Sequence, residues 1–311
     1  MAVTIKVPAT SANIGLGFDS LGIAVNLYLT LHVGEPSSEW VIAHPFGEEI
    51  PTNEENLIIE TALKVCPTLA PHKLVCESEI PLTRGLGSSS GAIVAGIELA
   101  NVLGNLQLTN DEKVKWATLS EGHPDNVAPA ILGGVVVATY DHHTQEVLTV
   151  HKNVEAPIAM VAVIPNVQLS TKKSRGVLPS SLAYGEAVEA SSRSNVLVAG
   201  LMVEDWKVIS SIVEKDLFHE TYRSTLVPWM EEVRTITKQE GLDTCGTYLS
   251  GAGPTVMTFV HKEQVDRFVQ TLEKYLETTL KDCAIRVLEI DAQGVYVKWK
   301  ENYGTIQTNV V

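Results

Sequence analysis

The sequence is poor in cysteine and lacks the patterns that give cysteines a structural role. Its four cysteines are scattered without CxxC or metal-like spacing, which is typical of reduced thiols rather than of a disulfide framework. No apolar run approaches the roughly 18 residues that a membrane span needs. The first residues also lack the basic and apolar regions of a secretory signal. We therefore expect a cytoplasmic protein without a membrane partner.

Positive charge is also scarce. The 23 Lys and Arg residues against 37 Asp and Glu residues give a formal net charge of −14, and a field of this sign repels nucleic-acid backbones. We therefore expect no nucleic-acid partner. An anionic small ligand would have to be bound by a local basic cluster or by the N-terminus of a helix.

Apolar residues, by contrast, are plentiful enough for a large folded protein. They make up 45% of the 311 residues, while charged residues make up 19%, and these proportions exclude intrinsic disorder. Strand-like and helix-like segments alternate along the chain, which predicts an α+β fold. Because the length exceeds what one small core usually spans, we expect two domains, residues 1–153 and 154–311, divided where HKNVEAP interrupts the strands.

Hydrophobic periodicity and turn residues predict the individual elements. In the first half these are a half-exposed strand at 22–34, strands at 72–80 and 133–141, and helices at 56–66, 88–104 and 109–121. A capping box of Thr109 and Glu112 opens the last helix. In the second half they are strands at 156–165, 283–290 and 294–300 and helices at 181–218, 228–240 and 262–280. Gly241 is predicted to end the helix at 228–240.

The loop GLGSSSG (85–91) carries the clearest chemistry. Its glycines let backbone N–H groups approach a ligand, and a predicted helix begins directly after them, as in a phosphate-binding loop. Ser88 and Ser89 could donate to phosphate oxygens or bind Mg²⁺. An ordinary glycine-rich turn with serine caps is an equally common outcome for such a string. Walker A and protein-kinase signatures are both absent from the sequence.

The same letters also match GxSxG, the nucleophile elbow of a serine hydrolase, with Ser89 as the nucleophile. His261 could then serve as the late histidine. In such an elbow the strand runs directly into the serine, whereas here residues 81–87 separate Ser89 from the predicted strand. A hydrolase therefore stays a minor alternative.

Four other segments combine polar side chains with small residues. They are PATSANIGLGFDSLG (8–22), EGHPDNVAPAILGG (121–134), STKKSRG (170–176) and GAG (251–253), and Arg223 adds a further basic group. Each one alone has a structural interpretation as a turn, a helix cap, a solvated charge cluster or a hairpin. Their coincidence in one chain is what indicates a functional site.

Together these segments resemble the GHMP kinases, a small-molecule kinase family named for galactose, homoserine, mevalonate and phosphomevalonate. PATSANIGLGFDSLG resembles the family's first motif, IPLTRGLGSSSG (80–91) its phosphate loop, and LSGAGPT (249–255) its third motif, in the family's order. The form GFDSLG, the segment EGHPDNVAPAILGG and the contexts of Arg175 and Arg223 are most similar to the members that phosphorylate homoserine. The resemblance covers nearly the whole chain.

The resemblance implies a two-domain fold and an activity. The first domain would be of the ribosomal S5 domain 2-like type and the second ferredoxin-like, with ATP and substrate between them. The reaction would be phosphorylation of L-homoserine by ATP with Mg²⁺, a step of threonine biosynthesis, and homodimers are common in the family. Another small-molecule GHMP kinase, such as a mevalonate-type enzyme, is the main alternative. A nucleotide-binding regulator without turnover is a further one.

The resemblance also implies roles for particular residues. The ATP site would comprise Pro81, Leu82, Thr83, Arg84, Gly85, Leu86, Gly87, Ser88, Ser89, Ser90, Gly91, Gly251 and Gly253. Ser89 and Glu121 would bind Mg²⁺. Asn13, Asp19, His123, Asp125, Arg175 and Arg223 would bind the substrate, while Asp125, Asn126, Thr171 and Arg175 would act in catalysis. These types suit a zwitterion, whose carboxylate favours arginine and whose ammonium favours Asn or Asp oxygens.

Overall fold

The computed structural model describes residues 2–300, which form two β-sheets with helices packed on them. The strands are β1 Ala2–Ala12, β2 Leu21–Pro36, β3 Val41–Ala43, β4 His72–Ser78, β5 Val135–Asp141, β6 Glu146–Lys152, β7 Ile158–Pro165, β8 Thr247–Leu249, β9 Val256–His261, β10 Cys283–Leu288 and β11 Tyr296–Lys300. The helices are α1 Leu57–Val65, α2 Ser88–Leu103, α3 Asn110–Glu121, α4 Val127–Leu132, α5 Thr171–Arg175, α6 Tyr184–Val203, α7 Trp206–Ile212, α8 Glu220–Arg223, α9 Pro228–Gln239 and α10 Val265–Glu273.

The first sheet is built around the long antiparallel pair β1 and β2. Its order is β11-β1-β2-β4-β3, and β5 joins the early part of β2 and carries β6. The register runs from Val3 opposite Val33 to Ala12 opposite Gly22, so residues 13–20 form the loop at one end of the pair. The half-exposed strand predicted at 22–34 is confirmed from Asn26 onward, where buried and less buried residues alternate. Its first residues differ from the prediction: Leu21 to Val25 are all buried, since α2 and α4 pack on β1 and β2.

The second sheet has the order β10-β7-β9-β8 and is covered on both faces. On one face α9 and α10 form a core with residues such as Val161 and Leu249, and on the other Tyr248 and Phe259 join the core that α6 and α7 share with the first sheet. A strand buried on both faces loses its polar alternation, which explains the continuous apolar run of β7.

Several element boundaries differ from their predictions. The helix predicted at 181–218 is α6 followed by α7, and the break between them falls at Glu204, which has φ +58°. The helix predicted at 262–280 is a 3₁₀ turn at Lys262–Gln264 and then α10, which ends at Glu273. The capping box at Thr109 and Glu112 is confirmed, as is the left-handed Gly241 after α9.

The chain crosses between the sheets twice. It passes from the first sheet to the second between β6 and β7, close to the predicted division at 153/154, and returns for β11, which pairs antiparallel with β1. The first sheet therefore includes chain from both sides of that division, which itself stays a prediction. Among residues 2–300, no helix combines the length and the apolar character that a bilayer crossing requires.

Candidate active site

One cleft collects residues from six separate segments of the chain, drawn from both halves. It is lined by Asn13, Phe18, Asp19, Thr83, Gly85, Gly87, Ser88, Ser89, Ser90, Glu121, His123, Asp125, Asn126, Leu169, Thr171, Arg175, Arg223, Gly251, Ala252 and Gly253. Most of the residues singled out from the sequence therefore face one another across a single space.

The N-terminus of α2 forms one end of this cleft. Its N-cap residue Gly87 has φ +71°, and the helix has neither a side-chain cap nor an acidic residue in its first turn. A Cβ at Gly87 would lie 2.2 Å from Thr10 Oγ1, so the backbone can take this course only with glycine. First-turn amides have no partner inside a helix, and the helix dipole adds positive charge there. This end of the cleft can therefore receive a phosphate group.

The phosphate loop is held from behind by the third motif. Ser250 Oγ donates to the Gly85 carbonyl oxygen at 2.6 Å, and Gly85 has φ +74°. Arg84 Nε donates to the Pro165 carbonyl oxygen at 3.0 Å, so this side chain points to the second sheet. The loop is thus fixed between the two halves of the chain.

The cleft also carries an ion pair between Asp19 and Arg175. The guanidinium donates to both carboxylate oxygens, at 3.0 and 2.5 Å. Asn13 orients this segment, because its side chain donates to the Gly251 carbonyl oxygen at 2.9 Å and accepts from Asp19 N–H at 3.0 Å. The carboxylate of Asp19 also raises the pKa of Arg175, although burial opposes the shift.

Arg223 is the most deeply buried cation of the cleft, with 1% of its surface exposed. It donates to the carbonyl oxygens of Ser174 and Gly251 at 3.2 and 3.1 Å. Burial, reinforced by the charge of Arg175, lowers its pKa to about 10, so the side chain is still a cation at neutral pH. The ring of Phe18 lies between the two guanidiniums, 5.4 Å from that of Arg175 and 5.3 Å from that of Arg223, within the range of cation–π attraction.

A histidine and two carboxylates complete the polar lining of the cleft. His123 Nδ1–H donates to Asp125, which is 3% exposed, at 2.5 Å. Burial lowers the pKa of His123, but the bond to Asp125 and the nearby carboxylates outweigh burial, and the net shift is upward. Burial raises the pKa of Glu121, with His123 and a hydrogen bond from Ser90 opposing it. The Ser90 hydroxyl donates this bond to Glu121 Oε1 at 3.1 Å.

Oxygen ligands for Mg²⁺ are present where the resemblance places them. The Ser89 hydroxyl and the Glu121 carboxylate line the same cleft, and Mg²⁺ prefers such hard oxygens. Within residues 2–300, Glu121 has no basic side chain at salt-bridge distance, so the half-buried carboxylate interacts only with the more distant charges of His123 and Arg175. Asp19, His123 and Asp125 also bring ligand atoms within 4.8 Å of one another, but these groups are engaged in the pairs described above. The first set therefore fits the metal better.

Five residues of the predicted ATP site lie outside the cleft. Leu86 is fully buried and its carbonyl oxygen accepts from Thr10 N–H, while Gly91 belongs to the first turn of α2. Pro81, Leu82 and Arg84 belong to the loop but are not among the lining residues. Conversely, Phe18, Leu169 and Ala252 line the cleft and were not predicted. Phe18 and Ala252 had a signal, since Phe18 stands before Asp19 in the first motif and Ala252 stands between the glycines of the third.

The serine-hydrolase alternative is wrong in its geometry. Ser89 lies in the first turn of α2, eleven residues after β4 ends at Ser78, so no strand leads directly into it. His261 lies 3.3 Å from Cys245 Sγ and does not line the cleft. Neither the elbow nor the base of a hydrolase is therefore formed.

Comparisons with known proteins agree with this geometry. The family models that match are the GHMP kinases N terminal domain, over residues 56–134, and the GHMP kinases C terminal, over residues 192–278. The chain is 48% identical to a homoserine kinase of Bacillus anthracis over 302 residues, which cover 97% of this chain and 99% of that protein.

Solved structures extend the likeness to the fold. A chain from Listeria monocytogenes, described as a candidate homoserine kinase, is 42% identical with a TM-score of 0.84 and covers 96% of this chain and 99% of its own. A homoserine kinase from Cytophaga hutchinsonii is 26% identical with a TM-score of 0.82 and covers 96% of this chain and 97% of its own. The α+β fold with two domains is thereby confirmed. This chain belongs to the GHMP kinase family and is an ATP-dependent small-molecule kinase.

Proposed function

We propose that the protein transfers the γ-phosphoryl group of ATP to the side-chain hydroxyl of L-homoserine, giving O-phospho-L-homoserine for threonine biosynthesis. The observation that carries this proposal is one cleft with two complementary ends. At one end is the uncapped N-terminus of α2, which suits phosphates. At the other are Asp19, Arg175 and Arg223, whose opposite charges suit an amino acid. A relative that is 48% identical to this chain is named a homoserine kinase, which supports the same substrate.

The phosphate groups of ATP would lie against the amides of the first turn of α2, with Gly251 and Gly253 closing the opposite side. Ser89 and Glu121 would hold Mg²⁺, since they supply a hydroxyl and an unpaired carboxylate to the same space. Mg²⁺ held by these two residues would neutralise negative charge on the phosphate groups. Glu121, whose burial is unfavourable on its own, would gain a counter-ion.

The substrate would be held by its two charged groups. Its carboxylate fits the guanidiniums of Arg175 and Arg223, which can donate in parallel to two oxygens. Its ammonium fits the oxygens of Asp19 and Asn13. Held in this way, the side chain of the amino acid extends toward Asp125 and the start of α2, so the hydroxyl and the phosphate approach one another.

Catalysis of the transfer depends mainly on positioning and charge neutralisation, because phosphoryl transfer passes through a loose transition state. Asp125 would orient the hydroxyl and accept its hydrogen bond, and His123 holds the Asp125 carboxylate at 2.5 Å. Asn126, Thr171 and Arg175 can stabilise the transferring group. Asn126 is itself held, because its side-chain oxygen accepts from Thr10 Oγ1 at 2.9 Å.

A coupled assay of ADP release tests the proposal directly. Homoserine should support turnover that depends on Mg²⁺, whereas mevalonate and galactose, which carry no ammonium, should not. Turnover with mevalonate and none with homoserine would overturn the substrate assignment. ATP binding without any ADP release would identify a regulator instead. Cytoplasmic location and a homodimer stay predictions, and analytical ultracentrifugation of the purified chain tests the second.

A further inference from the structure

His219 is a fully buried histidine that the proposed mechanism does not use. It directly precedes α8, and its ring makes contacts on three sides. Nε2 lies 2.8 Å from the Gly15 carbonyl oxygen, and Nδ1 lies 2.9 Å from Nη1 of Arg223. The ring stacks on Phe18 with centroids 5.2 Å apart and planes 21° apart. The side chain therefore contacts both the loop at residues 13–20 and the buried cation Arg223.

These partners determine which ring nitrogen carries the proton. A carbonyl oxygen only accepts hydrogen bonds and a guanidinium only donates them. Nε2–H must therefore donate to Gly15, and Nδ1 must accept from Arg223. The carboxylate of Asp216 lies 3.9 Å from Nε2, so it is near the ring nitrogen of His219 that carries the proton. Only the neutral ring with its proton on Nε2 satisfies both contacts, since a second proton on Nδ1 would face the guanidinium.

A neutral acceptor orients the guanidinium of Arg223 without neutralising its charge, whereas a carboxylate would neutralise it. The hydrogen-bond partners of Arg223 are two carbonyl oxygens and the imidazole, and within residues 2–300 no acidic side chain pairs with it at salt-bridge distance. Arg175, by contrast, is paired with Asp19. The guanidinium of Arg223 is thus fixed in direction while its charge stays available for a ligand.

We infer that His219 is a positioning residue for substrate recognition: in its Nε2–H form it orients Arg223 and Phe18 toward the carboxylate of the amino-acid substrate without neutralising the cation. This inference rests on the proposed function, in which Arg223 binds that carboxylate. It adds a residue that contacts no substrate and that sets the affinity for one substrate group only.

Two substitutions separate this role from simple packing. In H219N the amide oxygen is as many bonds from Cβ as Nδ1 is in histidine, so it can accept from Arg223. H219L has a similar bulk but no acceptor. Both variants lose the bond to Gly15, so their difference reports the bond to Arg223. H219M replaces H219L if the leucine variant does not fold.

Steady-state kinetics on the full chain give the readout. Loss of a hydrogen bond to a charged group should raise the KM for homoserine in H219L by about 10- to 100-fold over H219N. The KM for ATP should rise less than the KM for homoserine in both, because His219 contacts Gly15, Arg223 and Phe18 rather than the first turn of α2. With 3-aminopropan-1-ol, which is homoserine without its carboxylate, the two variants should be equal.

Equal homoserine KM values for H219N and H219L would overturn the inference, as would a parallel rise in the KM for ATP or an equal loss with 3-aminopropan-1-ol. These results differ from failure of the proposed function, which would appear as absence of homoserine turnover in the wild-type protein. If the wild type turns over homoserine and H219N recovers most of the affinity that H219L loses, the positioning role is supported.

Discussion

Replacing Arg223 by alanine should selectively remove recognition of the substrate carboxylate. The side chain is 1% exposed, so its contact with a carboxylate would be made almost free of solvent screening. Truncating one partner of such a buried charge pair costs about 2 to 4 kcal/mol. Since 1.36 kcal/mol corresponds to a factor of ten, R223A should lose about 30- to 1,000-fold in kcat/KM for homoserine.

The assay compares two substrates in the wild type and in R223A. With 3-aminopropan-1-ol there is no carboxylate to recognise, so the ratio of wild-type to variant kcat/KM should fall close to one. R193A is the matched control, because Arg193 pairs with Glu189 on α6 outside the cleft and its loss should leave both substrates unaffected. The KM for ATP in R223A verifies that the phosphate end is intact. An equal loss with both substrates would refute the reasoning and indicate a structural role for Arg223.

Three other substitutions test the rest of the cleft. G85A should raise the KM for ATP about tenfold or more, because its Cβ would lie 2.4 Å from the Ser250 carbonyl oxygen in a backbone with φ +74°; an unchanged KM in initial-rate measurements would contradict this. E121Q should raise Tm at neutral pH, since a carboxylate with a raised pKa destabilises the fold when it is ionised, and should abolish most turnover. Measured by calorimetry, this gain in Tm should disappear below pH 4.5, the ordinary pKa of a glutamate. A gain in Tm that does not change with pH would refute this explanation. D125N should lower kcat by about 10²- to 10⁴-fold in single-turnover experiments, whereas a loss smaller than tenfold would exclude Asp125 from orienting the hydroxyl.

The sequence was most informative where backbone geometry demands a particular residue. Gly85 and Gly87 have positive φ and no room for a Cβ, so their spacing marked this segment as a candidate phosphate loop. An ordinary turn was an equally common outcome until the resemblance was considered. The polar segments were placed together by their resemblance to a known family, because nothing in their spacing shows that the third motif lies behind that loop.

Other features left little trace in the sequence. The return of β11 to the first sheet depends on pairing with β1 at the other end of the chain. Hydrophobic periodicity predicts a strand but does not indicate which other strand pairs with it. The break between α6 and α7 occurs at Glu204 in a left-handed conformation, where glycine or asparagine would have been the usual signal. Phe18 escaped prediction because an aromatic residue in a short loop is more often core than cleft.

Asp19 and Arg175 also bear on which molecules the cleft admits. As long as the two side chains are bound to each other, neither charge is available, and a molecule can separate them only by offering a replacement to each. An amino acid carries both replacements at neighbouring atoms. A simple alcohol or a simple acid would leave one of the two side chains without a counter-charge. The protein's own ion pair therefore favours molecules that carry both charges over those with one charge or none.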